Sequence, residues 1–384
     1  MVMTRYFIIV GLAMLLAIGC IDPYNPPEIE SSANFLVVDG LVDVGAGNAR
    51  VVLAHSQALD EQSEPLLETG AQVTIEVTNG PMFSLSETFP GEYTAGNLPI
   101  NPGDQCQLRI RTASGKEFLS ETVTSIDTPP IDSITWTARP GQLDIEVNTH
   151  DPGGNTRYYR WKYVETAMYQ SPHLSSYIWD TEENTVRPRT NEERIFTCWK
   201  TTPSTNINVF STNGLAEDIV SRHIVQSLPS NSWKLRLKYS ILVYQYAIGQ
   251  EEFNFWTELR KNTENIGTIF DPQPSQVTGN IRSVNAPGEK VLGYFSAGSI
   301  SEERIFISRD DLPYSGFDTR YPSCNYFDVD TLYMEEYLNS SKRALLISAV
   351  TSGPAVIGYT TAEDYCVDCR IAHQGTNKRP DFWE

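Results

Sequence analysis

A run of short segments with alternating polarity constrains the fold of this chain more than any other feature. In the segment AQVTIEVT, the apolar residues Val73, Ile75 and Val77 alternate with polar ones, and QCQLRIRT repeats the pattern. A period of two places such side chains on one face of a β-strand. Strands are predicted over residues 35–43, 50–56, 71–78, 82–88, 92–98, 105–112 and 116–123, with Gly-, Pro- and Asn-rich turns between them. Short strands at this spacing predict an immunoglobulin-like β-sandwich over residues 35–127.

A second β domain is predicted after the linker at residues 127–130. IDSITWTA and QLDIEVNTHDPGGNTRYYRWKYVE read as strands of a hairpin around a Gly-rich turn, similar to the opening of a fibronectin type III domain. Further β segments follow, and LLISAV and VIGYTTA read as closing strands. The chain is therefore expected to be mainly β, with a larger fibronectin-III-like domain over residues 131–384.

One segment departs from the β pattern. EEFNFWTELRKNTE, residues 251–264, places Phe253, Phe255, Trp256 and Leu259 within about 160° of one helical face. Two glutamates begin the segment and two basic residues lie towards its end, a polarity that suits the helix dipole. We predict one inserted α-helix here, packed across a sandwich edge.

The N-terminal residues predict export and lipidation. Arg5 precedes an apolar run at residues 6–18, which is too short to span a bilayer comfortably and is typical of a secretory signal. The sequence Ala17-Ile18-Gly19-Cys20 resembles the lipobox of bacterial lipoproteins, although Ala17 stands where leucine is usual. We predict a signal peptide over residues 1–19 and acylation of Cys20, for example by palmitate, with an ordinary cleaved signal as the alternative. The proline-containing residues 20–34 then form an extended tether.

The remaining cysteines predict disulfide bonds in the C-terminal half. Cys106 alternates with polar residues in its strand and is expected to lie in the core. The other four are Cys198, Cys324, Cys366 and Cys369. The cysteines of an exported chain can oxidise, and an even number of them can all form pairs. We therefore predict two disulfides among these four cysteines, and three pairings are possible. Cys366 and Cys369 also form a CxxC, so a metal site and a redox pair are the alternatives.

The charge of the chain limits its partners. Its formal net charge is −19 at pH 7, so nucleic acid and anionic lipid surfaces should repel it. Membrane attachment is therefore expected through the N-terminal lipid, since each buried methylene of an acyl chain contributes about 0.8 kcal/mol. No partner nucleic acid is predicted.

No catalytic constellation stands out in the sequence. It contains no GxSxG elbow, no HExxH and no phosphate-binding glycine motif, and its five histidines are dispersed. The acidic pairs Asp310-Asp311 and Asp328/Asp330 could bind calcium but are better read as solvated turns. We predict no catalytic residue, no resident metal and no cofactor. Tyr169, Tyr177 and Trp179, in a polar stretch, are the candidates for a partner-binding surface.

Several segments together resemble a known family. They are YNPPEIE, LVVDGLV, YSILVYQYAIGQEEFNFW, GTIFDPQPSQVTGNI, VLGYFSAGSISEERIFI and CVDCRIAHQGTNKRPDFW. The set is similar to the Bacteroidota lipoprotein family called domain of unknown function 4249. The family has no assigned activity, so the resemblance implies no catalytic residues. It implies a place beside TonB-dependent outer-membrane receptors.

These observations lead to one expectation for function and two rivals. We expect a non-catalytic lipoprotein of the outer membrane or cell surface, acting as a binding or accessory subunit of a TonB-dependent uptake system. The first rival is a structural or adhesive surface protein. The second is an enzyme acting on glycans or peptides, which would need a cleft with paired carboxylates.

Overall fold

The computed structural model describes residues 35–57, 66–264 and 277–383, except residues 278, 314, 318, 322 and 341–343. The predicted signal peptide, the tether and Cys20 lie outside the described residues. Strands make up 51% of the structure and helices 12%, so the prediction of a mainly β chain is confirmed. Among the described helices, none combines the length and the apolar character needed to cross a membrane.

The elements follow one another along the chain in this order. The strands are β1 (Leu36–Asp43), β2 (Asn48–His55), β3 (Gln72–Val77), β4 (Met82–Phe89), β5 (Glu92–Gly96), β6 (Gln105–Arg111), β7 (Glu117–Ser120), β8 (Val123–Thr124), β9 (Ile131–Arg139), β10 (Gln142–His150), β11 (Tyr158–Gln170), β12 (Tyr177–Asp180), β13 (Thr185–Pro188), β14 (Thr197–Pro203), β15 (Asn208–Ser211), β16 (Ile219–Pro229), β17 (Lys238–Ala247), β18 (Ile281–Ser283), β19 (Val291–Gly298), β20 (Ser301–Ser308), β21 (Tyr326–Asp330), β22 (Ala344–Ser352) and β23 (Ala355–Glu363). The helices are α1 (Gln250–Glu264), α2 (Met334–Ser340), α3 (Asp364–Val367) and α4 (Cys369–Ala372), with short 3-10 turns at Trp233–Leu235, Arg309–Asp311 and Thr331–Tyr333.

The first sheet is nearly closed on itself. Its strands run in the order β18-β7-β6-β3-β4-β5-β2-β1-β19, with β8 paired to β6. All neighbours are antiparallel except β1 and β19, which are parallel. The inward positions fill one core, in which Val51, Ile75, Leu108 and Phe295 are fully buried. Each of the seven strands predicted before residue 127 is present.

Two strands of this sheet come from far along the chain. The sandwich predicted over residues 35–127 is completed by β18 and β19, which the sequence interpretation had left in the domain over residues 131–384. Phe295 of β19 lies in the first core, where it is fully buried. Alternating polarity identifies such a strand but does not say which sheet it joins, because that depends on pairing between residues distant in sequence.

A glycine allows β19 to approach β1 closely. Gly293 pairs with Val38 and has φ +105°, a backbone conformation that side chains with a Cβ rarely adopt. A Cβ built on Gly293 would lie 1.9 Å from the carbonyl oxygen of Val38. Only glycine therefore fits this position without a shift of the backbone.

The second unit is a β-sandwich, as predicted. One layer is the sheet β16-β10-β9, and the other is the sheet β14-β11-β17-β20 with β15 paired to β11. Aromatic and aliphatic side chains from both layers share one core, in which Trp161, Ile145 and Ile241 are almost fully buried. The Trp161 indole donates to Gln245 Oε1 at 2.9 Å, so its polar atom is satisfied inside the core.

Helix α1 forms where the amphipathic pattern predicts it, and it packs between the two units. Phe253 contacts Tyr158 of the second sandwich, with ring centroids 5.0 Å apart, and Phe255 contacts Tyr294 of the first sheet at 5.1 Å. Glu252 and Phe255 are its buried residues. The helix thus links the two units through its apolar face.

The C-terminal residues form a smaller third part. Strands β21, β23 and β22 make a three-stranded sheet, and the hairpin β12–β13 packs beside it. Helices α3 and α4 follow β23 and carry two of the cysteines. The chain then returns to β14, where Thr376 bridges Trp199 and the buried Trp383 packs against the same indole at 6.3 Å.

Candidate functional site

Two disulfides hold the C-terminal part in place. Cys198 of β14 bonds to Cys369 of α4, and Cys324, before β21, bonds to Cys366 of α3. The prediction of two disulfides among these four cysteines is confirmed, and the structure supplies the pairing. Because Cys366 and Cys369 bond to different partners, the CxxC is neither a redox pair nor a pair of thiolate ligands for a metal.

Cys106 is the free cysteine of the described residues, and it is fully buried as expected. Burial, with a smaller effect from the nearby Asp104, raises the pKa of its thiol to about 11. A thiol in this environment is inert at neutral pH.

Tyr169 does not lie on the surface, and that prediction was wrong. The residue is fully buried. Its ring packs against Trp233 at 5.1 Å and His373 at 4.9 Å, and its hydroxyl donates to the carbonyl oxygen of Cys369 at 2.9 Å. The polar residues of the stretch 165–190 suggested a surface position, whereas β11 continues to Gln170 and turns Tyr169 inward.

Tyr177 and Trp179 lie in the hairpin strand β12 and are half-buried. The Tyr177 ring meets Tyr359 of β23 edge to face, with centroids 5.3 Å apart. Both residues line a cavity of about 370 Å³ together with Leu338 and Leu345. They therefore shape a concave wall, and a role in binding a partner remains a prediction.

A larger cleft lies next to this cavity, between the end of the hairpin, β14 and the C-terminal tail. We call it the basic groove. Its volume is about 940 Å³. It is lined by Leu174, Ser175, Ser176, Arg189, Asn191, Glu192, Arg194, Phe196, Thr197, Trp199, Arg370, Asn377 and Lys378. The two cavities share Arg189 and Arg370. Volumes of this order are typical of small-molecule sites.

Arg189 is fixed in the wall of the groove by a short chain of hydrogen bonds. Its Nε donates to Ser175 Oγ at 2.8 Å, and its Nη1 donates to the carbonyl oxygen of Glu193 at 3.3 Å. Ser175 is buried and in turn donates to the carbonyl oxygen of Leu346 in β22 at 2.6 Å. Burial lowers the pKa of Arg189, and the carboxylates of Glu193 and Asp368 oppose that effect more than the charges of Arg370 and Arg187 add to it.

The opposite side of the groove is built by the tail. Asn377 Nδ2 donates to the carbonyl oxygen of Arg194 at 2.9 Å and so ties the tail to the segment before β14. The Arg370 guanidinium holds Asp368 through Nε at 2.9 Å and Nη2 at 2.6 Å. The nearby disulfide Cys198–Cys369 anchors both sides.

The charges of the groove are not balanced internally. Arg187, next to the groove, pairs with two carboxylates, those of Glu193 and Asp180, which leaves one negative charge there, and Arg370 pairs with Asp368. Within the described part of the chain, the side chains of Arg189, Arg194 and Lys378 form no ion pair. The lining contains one carboxylate without a cationic partner, that of Glu192. An excess of positive charge therefore faces the groove, in a chain of net charge −19.

Trp199 contributes an unpaired donor to the same wall. Its indole Nε1 is buried and has no acceptor among the described residues. The ring stands edge to face against Trp383. The groove thus combines cationic side chains, two asparagine amides and aromatic surface from Phe196 and Trp199.

The joint between the two larger units holds a different group of charges. Asp39, Arg160, Lys162 and Glu252 line a cavity of only about 30 Å³, roughly the room that one water needs. The Arg160 guanidinium lies 3.4 Å from the centroid of the Trp256 ring. Burial lowers the pKa of Arg160 and raises that of Glu252. This packed cluster joins the units and leaves no room for a ligand.

The acidic pairs considered as calcium ligands serve local structure instead. Asp330 accepts from the backbone N–H of Leu332 at 2.8 Å, and Asp328 accepts from the Thr360 hydroxyl at 2.7 Å. Asp311 accepts from the N–H of Ser308 at 2.7 Å. In the described ranges no three His, Cys, Asp or Glu side chains gather as a metal site would require.

Sequence reasoning did not find the basic groove. Its cations come from three separate segments, around residues 189–194, 370 and 378, and no local motif joins them. The one available signal was the cysteine set, because Cys198 and Cys369 precede Trp199 and Arg370 directly. A prediction that Cys198 bonds to Cys369 would have placed the segments around Trp199 and Arg370 together.

A comparison with protein families identifies the family of this chain. A family model described as "Domain of unknown function (DUF4249)" matches residues 21–304. The chain belongs to this family. The match includes the first sheet and α1, while β21 to β23 and Lys378 lie beyond it.

The other comparisons add little. No curated protein matches the chain in sequence. Among solved structures, "Chitinase ChiA74 from Bacillus thuringiensis" aligns with 11% identity over 51% of this chain and 28% of that chain. The TM-score is 0.16, so this likeness carries no argument about fold or activity.

Proposed function

We propose that this member of the DUF4249 family is a non-catalytic lipoprotein, anchored at the outer membrane through Cys20, that docks on a TonB-dependent receptor as an accessory subunit. The signal-like N-terminus supports the anchor, and the family resemblance supports the partner. One structural observation carries the docking part of the proposal, namely a concentration of exposed apolar side chains in the C-terminal part.

We call this concentration the C-terminal apolar surface. Its exposed members lie on the turn between β21 and α2 and on both faces of the small sheet, because neighbouring residues of a strand point to opposite faces: Tyr326, Phe327, Leu332, Tyr333, Val356 and Ile357. Leu332 is 85% exposed and Tyr333 63%, in the turn between β21 and α2. Exposed apolar residues are normally scattered, and a concentration of them marks an interaction site. Aromatic residues of this kind are also enriched at the centres of protein interfaces.

The residues around this surface indicate what a partner would offer. Asp328, Asp330, Glu335 and Glu336 lie in the same segment, which contains no Lys or Arg between residues 324 and 340. A matching partner surface would place an apolar centre inside a rim of basic side chains. The surface lies on the small C-terminal sheet rather than on either larger sandwich.

The proposal of a non-catalytic role rests on the lining of the basic groove. The lining offers a single carboxylate, that of Glu192. Glycoside hydrolysis by the usual route needs two carboxyl groups about 5–10 Å apart. Asp368, in the neighbouring cavity, is engaged by Arg370.

Affinity purification of the tagged, lipidated protein from detergent-solubilised outer membranes tests the proposal. We expect mass spectrometry to find a TonB-dependent receptor with the unaltered chain. Leu332→Glu should remove it, because the variant places a charge in the apolar centre. Leu215→Glu is the matched control, since Leu215 is also exposed but lies in another part of the chain.

Capture of the receptor with the control but not with Leu332→Glu would support the proposal. Receptor capture that both variants retain would rule out the C-terminal apolar surface as the docking site. No receptor in any preparation would favour the structural or adhesive alternative.

A further inference from the structure

We propose that the basic groove is a binding site for a ligand that carries two or more oxyanion groups, either carboxylates or phosphates. This site is separate from the C-terminal apolar surface, so the inference does not depend on the docking proposal. It concerns what the protein holds rather than what it docks on.

The first argument is the uncompensated charge. Arg189, Arg194 and Lys378 reach the groove from three segments, and among the described residues none of them forms an ion pair. Elsewhere in the described structure many cations are paired, as Arg50 is with Glu92 and Arg222 with Glu146. The lining holds four cations and one carboxylate, so like charges repel one another in the empty site, and an anion relieves that repulsion.

The second argument is the way that Arg189 is held. Its Nε and Nη1 are used by Ser175 and Glu193, which fixes the plane of the guanidinium. Its Nη2 makes no hydrogen bond with the described residues and is left for a ligand. A guanidinium fixed in this way binds a carboxylate or phosphate with little loss of side-chain freedom. The lowered pKa of Arg189 is a consequence of the same burial.

The third argument is the depth and composition of the cleft. Its volume of about 940 Å³ exceeds that needed for a single small ion, and cations stand on both of its sides. Asn191 and Asn377 add amide groups, and Phe196 adds apolar surface. A ligand with several charged groups, joined by a polar or partly apolar body, fits this arrangement better than a simple anion.

Isothermal titration calorimetry at 50 mM NaCl tests the inference with three probes. Tri-galacturonate carries carboxylates on a saccharide, tripolyphosphate carries phosphates without one, and maltotriose is the neutral control. We expect one of the two anionic probes to bind and maltotriose not to bind. The anionic probe that binds identifies the source of the oxyanions. Raising the salt to 500 mM should weaken the binding several-fold, because charge dominates it.

Charge variants locate the site. Arg194→Gln and Lys378→Gln should each weaken the binding about threefold, as expected for exposed charges. Arg189→Gln should weaken it about tenfold, because its hydrogen bonds to a charged group are partly shielded from water. Glu192→Gln should strengthen binding, since it removes the unpaired carboxylate from the lining. Arg282→Gln, an exposed cation on β18 of the first sheet, should have no effect.

Thermal unfolding of every variant distinguishes lost binding from lost structure. Arg194 and Lys378 are exposed, so their variants should unfold at the same midpoint as the unaltered chain. Failure of both anionic probes to bind at millimolar concentration would overturn the inference. Equal binding by the unaltered chain and by the combined Arg194→Gln, Lys378→Gln variant would overturn it as well.

Discussion

The side chain of Asn280 forms two hydrogen bonds with the backbone of Phe295. Its Nδ2 donates to the carbonyl oxygen of Phe295 at 2.8 Å, and its Oδ1 accepts from the N–H at 2.9 Å. Asn280 directly precedes β18 and Phe295 lies in β19, which are the two end strands of the first sheet. A side-chain amide thus makes the pair of bonds that a neighbouring strand would otherwise supply, and it covers an edge that would remain unpaired.

We predict that Asn280→Ala destabilises the protein markedly. The substitution leaves an N–H and a C=O of the fully buried Phe295 without partners, and each such group lowers stability by about 1–3 kcal/mol. We expect a loss of about 3 kcal/mol in the free energy of unfolding, measured by urea denaturation. Asn213→Ala, at an exposed position, should change it by less than about 0.5 kcal/mol. Equal stability of the two variants would show that the sheet closes without this side chain.

His223 should make the second sandwich sensitive to acid. Burial, and to a smaller extent the charge of Arg260, lowers the pKa of His223 to about 4. The ring stacks on Trp161 at 4.6 Å, and its Nε2 lies 2.7 Å from Asn208 Oδ1. Asn208 uses its amide nitrogen on the carbonyl oxygen of Val225, so its oxygen accepts from a neutral His223.

The direction of the pH effect follows from these two protonation states. In the unfolded chain the imidazole titrates near pH 6.5, whereas in the folded chain it stays neutral down to about pH 4. The unfolded state therefore binds the proton first, and stability present above pH 6.5 is lost as the pH falls towards 4. At pH 5 the loss is about 2 kcal/mol relative to pH 7.

Urea unfolding at pH 7 and pH 5 measures this contribution. In His223→Gln the new side chain still donates to Asn208 but does not titrate. Between pH 7 and pH 5 the free energy of unfolding of this variant should therefore fall by about 2 kcal/mol less than that of the unaltered chain. His150→Gln is the control. The pKa of His150 is raised by its hydrogen bond to Asp132, so this histidine stabilises at low pH and its removal should not reduce the acid loss.

Local patterns predicted the elements of this fold well but not their partners. The seven early strands and α1 were readable because alternation and helical periodicity are properties of a few neighbouring residues. The pairing of β1 with β19 was not readable, because it joins residues about 250 positions apart and depends on Gly293 fitting against Val38.

The same distinction explains the candidate site. The four disulfide cysteines were identified from their number and from the export that the N-terminal residues predict, but their pairing depends on the folded arrangement. Tyr169 was misplaced because the polar residues around it hide the inward face of β11. The basic groove needs Arg189, Arg370 and Lys378 to meet, and no sequence pattern predicts that meeting.

Cys20 lies outside the described residues, and its lipidation stays a prediction that one variant can test. Cys20→Ala should prevent acylation, so the protein should leave the membrane fraction, because anionic lipid repels a chain of net charge −19. The intact mass of the mature protein is the measurement. A mature chain that begins at Cys20 and carries no acyl mass would exclude the lipoprotein interpretation, whatever the fractionation shows.

The last prediction concerns the pairing of the two disulfides, Cys198 with Cys369 and Cys324 with Cys366. Digestion without reduction should yield peptides that join Cys198 to Cys369 and Cys324 to Cys366, with Cys106 as the one thiol of these five that reacts after unfolding. The bridges span 171 and 42 residues. Chain entropy alone then gives about 5 and about 4 kcal/mol of stabilisation as upper values.

Replacing Cys324 and Cys366 by serine should therefore lower stability and leave the basic groove anchored by Cys198–Cys369. Replacing Cys198 and Cys369 should also weaken the binding of the anionic probe, because these residues precede Trp199 and Arg370. A peptide that joins Cys366 to Cys369 would contradict the pairing and restore the CxxC as a redox candidate.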